Sequence, residues 1–216
     1  MNKSTLTSLS LFKAAALIGF IALMSFGTYQ AQAAESNPYS VRKAEHYLRS
    51  LKTAKANFIQ TNANGFQLNG TFYLDRPGKL RFDYDNIDDF IVADGIFIYF
   101  YDSELEEQSN APIGQTLADF MLRKDLRFSG DITVQNVKNS NQYTQITLVQ
   151  TADPGAGQLI LGFTEEPYTL KKWRVIDATG AITEVELFNT QTDIKLDQDL
   201  FIYTDPKRVP GATFNE

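Results

Sequence analysis

Gly70-Thr71-Phe72-Tyr73-Leu74-Asp75-Arg76-Pro77-Gly78-Lys79-Leu80-Arg81-Phe82-Asp83-Tyr84 reads as two short strands meeting at a Pro-Gly break. Side chains alternate between the two faces of a strand, so Leu68, Phe72, Leu74 and Arg76 share one side of the first. In the second, Leu80, Phe82 and Tyr84 lie on one face and Lys79, Arg81 and Asp83 on the other, which reads as facing solvent. Arg76 is the misfit, a guanidinium on the apolar side whose five donors need partners, because an unpaired buried charge is expensive. Two readings stand for it. It snorkels to water or pairs with a carboxylate such as Asp75 or Asp85, or it clamps helices over the sheet by donating to backbone carbonyls.

Outward from this hairpin the period stays near two for most of the chain. Eleven candidate strands follow: 54–61, 66–74, 79–84, 90–93, 96–101, 132–137, 143–150, 158–163, 170–177, 182–189 and 200–203. Pro77-Gly78, Asp94-Gly95, Pro154-Gly155 and Thr179-Gly180 are short breaks that join antiparallel neighbours, and crossover helices long enough for parallel pairing are missing. Upstream, Ser36-Asn37-Pro38 starts a helix on which Val41, Ala44, Tyr47, Leu48 and Leu51 form one apolar stripe. The interval 103–127 reads as non-strand. Within it Ile113, Leu117, Phe120 and Met121 fall at helical spacing after Pro112, giving a second short amphipathic helix that ends near Arg123 and Lys124. The expected fold is mainly β, an incomplete antiparallel barrel or strongly curved sheet of eleven strands, with the helices across its concave side and a cavity between the layers.

The first residues carry Lys3 and Lys13, an apolar run at 14–26 and Ala31-Gln32-Ala33, the pattern of an export signal cleaved after Ala33. The run is short of the roughly 20 residues that span a bilayer. The expected organisation is a signal peptide over 1–33 and a single domain over 34–216. The formal charge is −6, and losing Lys3 and Lys13 with no acids takes it to −8. Such a surface argues against nucleic acid and against an electrostatic hold on anionic headgroups. With no cysteine, the chain uses neither disulfides nor a lipid anchor on a cysteine within 27–40.

Enzymatic patterns fail one by one. His46 is the single histidine and sits among charges on the first helix, where it reads as solvated; G-x-S-x-G, G-x-G-x-x-G and Cys/His zinc spacings are missing. The run Asp83, Asp85, Asn86, Asp88, Asp89 has Ile87 and Asp88 where a calcium loop needs an oxygen ligand and a glycine. No cofactor, metal or catalytic residue is assigned. The stretch 90–101 is apolar on both faces, which suits either a covered core hairpin or one face lining a pocket for hydrocarbon.

Phe58-Ile59-Gln60 followed by the Gly70–Tyr84 stretch resembles the LolA family of periplasmic lipoprotein carriers. Ile91-Val92-Ala93-Asp94-Gly95, Tyr99, Tyr101-Asp102, Leu159 to Phe163, Pro167, Leu170, Trp173, Val175, Asp177, Gly180, Thr183, Val185, Leu187, Phe201 and Pro206 match the family's later pattern in order. The resemblance covers about residues 40 to 206 and implies a cavity for the acyl chains of lipoproteins closed by a helical lid. It implies Arg76 as the lid latch and an acyl-chain cavity of Phe72, Leu74, Phe82, Tyr84, Phe97, Tyr99, Leu159, Leu161, Phe163 and Trp173. Pro77 and Leu80 would stand at the mouth as partner contacts, with Val41, Leu48, Leu51, Ile113, Leu117, Phe120 and Met121 on the lid helices. The partners it implies are acylated lipoproteins, an inner-membrane lipoprotein-releasing ABC transporter, and an outer-membrane receptor or the outer membrane itself. The carrier would be a soluble periplasmic monomer. The alternative is a periplasmic carrier or sensor of another lipid or glycolipid on the same fold.

Overall fold

The computed structural model describes residues 38–116 and 119–207; the expected signal peptide and Leu117 lie outside them. Eleven antiparallel strands form one open sheet in the order β6-β5-β4-β3-β2-β1-β11-β10-β9-β8-β7. They are β1 (Thr53–Thr61), β2 (Gln67–Asp75), β3 (Lys79–Tyr84), β4 (Phe90–Asp94), β5 (Phe97–Asp102), β6 (Glu107–Pro112), β7 (Ile132–Asn139), β8 (Tyr143–Gln150), β9 (Gly157–Glu165), β10 (Tyr168–Asp177) and β11 (Ile182–Thr192). Every pairing except β1 with β11 joins strands consecutive in the chain. The mainly β, incomplete-barrel expectation therefore holds, with β6 and β7 as the open edges.

Two elements differ from the sequence reading, and they cancel in the count. Glu107–Pro112 is a strand where a non-strand interval was expected. Its Glu-Gln-Ser-Asn-Ala-Pro sequence has little β-preference, and it is held by pairing with β5 from Phe97↔Pro112 to Asp102↔Glu107. The expected last strand, 200–203, is instead a 3-10 turn at Gln198–Phe201, started by the Asp197 carboxylate accepting from the Asp199 N–H.

The sheet is strongly curled. Strands β3 and β10 are four places apart, about 19 Å on a flat sheet, yet the rings of Phe82 on β3 and Trp173 on β10 are 6.1 Å apart. Phe58, Phe72, Phe82 and Trp173 meet inside the curl at centroid distances of 4.8 to 6.1 Å.

Helix α1 (Pro38–Ser50) forms as its periodicity requires, with Ala44 and Leu48 buried and Leu51, just beyond its end, buried as well; Val41 and Tyr47 pack half-buried at the core's margin. Tyr47 meets Phe163 and Tyr168 edge-on, and Lys43 pairs with Glu165 at 2.5 Å, so α1 sits over β9 and β10. The second helix is broken. A 3-10 turn at Ile113–Gln115 ends where Thr116 becomes extended, and α2 is only Asp119–Leu122. The apolar spacing still serves its purpose, since Ile113, Phe120, Met121 and Leu122 are all buried.

The outer face of β3, expected to meet solvent, is only partly exposed. The chain after β11 returns across it: Lys79 donates to Gln198, Arg81 to the Leu200 carbonyl, and Gln198 to Asp75. Tyr203 stacks on Tyr99 at 4.4 Å, and Phe201 is buried.

Candidate functional site

Inside the curl lies a cavity of ≈ 830 Å³. Its wall is drawn from β1 through β6 and from β9 through β11, with Thr116 and Met121 from the α2 region. Phe72, Phe82, Tyr84, Leu159 and Trp173 line it. Leu80 lines it too and is 5% exposed, so its side chain offers little surface to a partner. Pro77 is exposed at the β2–β3 turn.

Leu74, Leu161 and Phe163 are fully buried but belong to the packed core rather than the cavity wall. Phe163 lies flat against Tyr168 at 5.2 Å beneath α1. Phe97 and Tyr99 point to the opposite face of β5, which corrects their expected place in the cavity. The physical reason is that β5 is apolar on both faces: Ile98 and Phe100 line the cavity, while Tyr99 is covered by Tyr203 of the returning chain. Alternation alone could not choose between the faces. Leu68, Ile91, Val175 and Val185 also line the cavity; alternation puts Leu68 with Phe72 and marks Val185 between two glutamates, but it cannot mark Ile91 in a stretch that is apolar on both faces.

The β2–β3 turn, next to the cavity-lining Leu80, ties the ends of both helices to the sheet. The last carbonyls of a helix lack intrahelical partners and carry the negative end of its dipole, so a cation is favoured there. Arg76 answers two such ends at once, donating from Nη1 to the carbonyl of Leu48 in the last turn of α1 and from Nη2 to that of Arg123, just past α2, at 2.8 Å. The turn is stapled further: the Arg76 N–H donates to the Lys52 carbonyl, and the Gly78 N–H to that of Leu122. Of the two sequence readings for Arg76, the geometry is that of the clamp. Burial pulls the Arg76 guanidinium below its usual range, and its Nε has no partner among the described residues. An arginine nonetheless stays charged, so the closed arrangement holds a partly desolvated cation.

The exposed part of the cavity wall is polar. Asp89, Asp102, Glu107, Gln108 and Ser109 line it beside the exposed Phe100 and Leu105. The acids that resembled a calcium loop are engaged otherwise, Asp83 with Arg81, Asp85 with Asn69, and Asp89 with the N–H and hydroxyl of Ser103. Deeper in, the Tyr84 hydroxyl donates to Gln60 Oε1 at 2.9 Å. Burial, then the nearby Asp89 charge, push the Tyr84 phenol up to about 12, so it remains neutral.

A curled open antiparallel sheet around a largely apolar cavity, with an arginine tying the ends of two short helices to the β2–β3 turn, defines a mainly β fold with room for an apolar guest. The chain belongs to the LolA family, whose model, for the outer membrane lipoprotein carrier protein LolA, matches residues 49–204. An outer-membrane lipoprotein carrier protein of Methylococcus capsulatus is 29% identical over 188 residues, covering 83% of this chain and 89% of that protein. One from Legionella pneumophila is 30% identical over 172 residues, covering 75% and 84%. Among solved structures, a LolA superfamily protein from Nitrosomonas europaea aligns over 76% of this chain and 97% of that one, with 8% identity and a TM-score of 0.39. No described helix is long and apolar enough to cross a membrane.

Proposed function

We propose that this protein carries acylated lipoproteins through the periplasm, from an inner-membrane ABC transporter to an outer-membrane receptor or to the outer membrane itself. It would act as a soluble monomer after removal of residues 1–33. The observation that carries this reading is the latched apolar cavity. Burying a methylene is worth roughly 0.8 kcal/mol, so a sixteen-carbon chain exposed to water costs on the order of ten kcal/mol. A lipoprotein therefore needs an apolar enclosure to cross an aqueous space.

Size supports the reading and refines it. Taking a methylene as about as large as a water's share of the liquid, roughly 30 Å³, a sixteen-carbon chain fills about 480 Å³. The cavity of ≈ 830 Å³ then admits between one and two such chains. Three chains, as on a triacylated lipoprotein, need the cover to lift. Closure of the helices over the empty cavity competes with cargo, and Arg76 sets that balance through Leu48 and Arg123.

The test mixes purified protein with vesicles holding the lipoprotein-releasing transporter, a labelled triacylated lipoprotein and ATP. Label is expected in the soluble fraction only when protein and ATP are both present. If none is released, although the transporter works with another carrier, lipoprotein carriage fails. A different lipid or glycolipid, identified by mass spectrometry of co-purified ligand, would then replace it.

A further inference from the structure

Acidic charge in this protein is concentrated in one stretch that supplies part of the cavity wall. Residues 82–122 contain ten of the 26 Asp and Glu residues and none of the 20 Lys and Arg residues. The rest of the chain therefore carries 20 − 16 = +4. Three of the ten, Asp89, Asp102 and Glu107, line the cavity itself, and no Lys or Arg does so among the described residues. None of the three has a cationic partner there: Asp89 accepts from Ser103 and Asp102 from the Leu105 N–H. Cations reach the neighbouring stretch from outside the cavity, Arg81 to Asp83 and Lys207 to Glu106.

A cavity of this size and polarity faces a selection problem. Its apolar wall makes no distinction among acyl chains, whatever headgroup they bear, and membranes on either side are full of anionic amphiphiles. We propose that the carboxylates of Asp89, Asp102 and Glu107 form a charge filter on the cavity wall, admitting acyl chains on uncharged or cationic headgroups and rejecting those on anionic ones. The proposal deepens the carrier reading and rests on it. The acylated end of a lipoprotein, with ester- and amide-linked chains on a cysteine, carries no negative charge, whereas phosphatidylglycerol and free fatty acids do.

The field is felt within the cavity. Asp89 adds to burial in raising the phenol of Tyr84, which also lines the wall; the same field acts on any second negative charge brought there. Low-dielectric walls focus such a field rather than dissipate it. Three carboxylates roughly 8 Å from a headgroup, at a dielectric between that of water and that of a protein surface and with salt screening, disfavour an anion by roughly five- to tenfold.

Trp173 is the single tryptophan and lines the cavity, so its fluorescence reports occupancy directly. The experiment titrates the protein below micellar concentration with lauroyl glycerol, lauroyl glycerol phosphate and dodecylammonium, in low and high salt. It repeats the titration with the variant Asp89→Asn, Asp102→Asn, Glu107→Gln. The expected order is ammonium tighter than neutral and neutral tighter than phosphate by roughly five- to tenfold at low salt. High salt should compress that spread in the unaltered protein, and the triple variant should abolish it. Equal binding of neutral and anionic ligands, or a preference that survives both high salt and neutralisation, overturns the filter while leaving the carrier reading intact. Failure of all three amphiphiles to bind overturns the carrier reading, and the filter with it.

Discussion

Replacing Arg76 with leucine removes two charge-assisted hydrogen bonds, to the carbonyls of Leu48 and Arg123, from a turn that ties both helix ends to the sheet. Bonds of this kind contribute roughly 1.5–3 kcal/mol each. Against them stands the cost of holding the guanidinium partly out of water with Nε unpartnered, which leucine does not incur. The net loss to the closed state is about 2–4 kcal/mol, a shift of roughly 30- to 1000-fold toward the open form. An open cover accepts cargo more readily and returns it less readily. Acyl-probe affinity, read from Trp173 fluorescence, should therefore rise by at least tenfold, and discharge of bound lipoprotein to acceptor vesicles should slow. Lysine at this position should fall between, because one ammonium lacks the planar fork that reaches both carbonyls. A variant whose melting temperature drops while affinity and discharge stay unchanged would show that Arg76 merely stabilises the fold, and the latch reasoning would be wrong.

Three further outcomes follow from particular contacts. Gly70→Ala should cost about 3 kcal/mol and lower the melting temperature by roughly 6–12 °C, because a Cβ there overlaps the backbone carbonyl of Asp83 on the paired strand; a shift under 2 °C on thermal denaturation would contradict the register. Tyr203→Ala removes the ring stacked on Tyr99 and should cost about 1 kcal/mol or more; it should also expose residues 197–207 to limited proteolysis, and unchanged cleavage would mean that the segment is not held by this stack. Lys43, then Thr144, hold the Glu165 carboxyl below its usual value of 4.5. Because the folded value is depressed, the contribution is present above that usual value and is lost as pH falls through the folded one, loosening α1 from β9. Urea denaturation from about pH 5 to pH 3 should show the unaltered protein losing more stability than Glu165→Gln; parallel losses would remove Glu165 from the account of α1.

Much of this was visible in the chain. Alternation placed Phe72, Phe82 and Tyr84 on the inner face and put Arg76 with them, and a buried arginine must find acceptors. Its actual acceptors were hidden, because backbone carbonyls at two helix ends leave no trace in side-chain pattern. Strand β6 was illegible for a related reason: Glu107–Pro112 has no β-preference of its own and exists by pairing with β5. Leu200, Phe201 and Tyr203 are apolar because they cover the outer face of β3 to β5, and in sequence this cannot be told from a strand. That long-range cover also explains why Phe97 and Tyr99 are apolar without facing the cavity.

Strand β5 offers the most direct test that acyl chains occupy the interior of the curl, since neighbouring residues there face opposite sides. A photo-crosslinking p-benzoylphenylalanine would replace Ile98, which lines the cavity, or in a separate variant Phe97, which does not. Each variant would be loaded with a lipoprotein bearing radiolabelled acyl chains and irradiated. Label is expected on the chain altered at 98 and at background level on the one altered at 97; equal labelling, or labelling from 97 alone, would contradict a carrier that shields its cargo in this cavity.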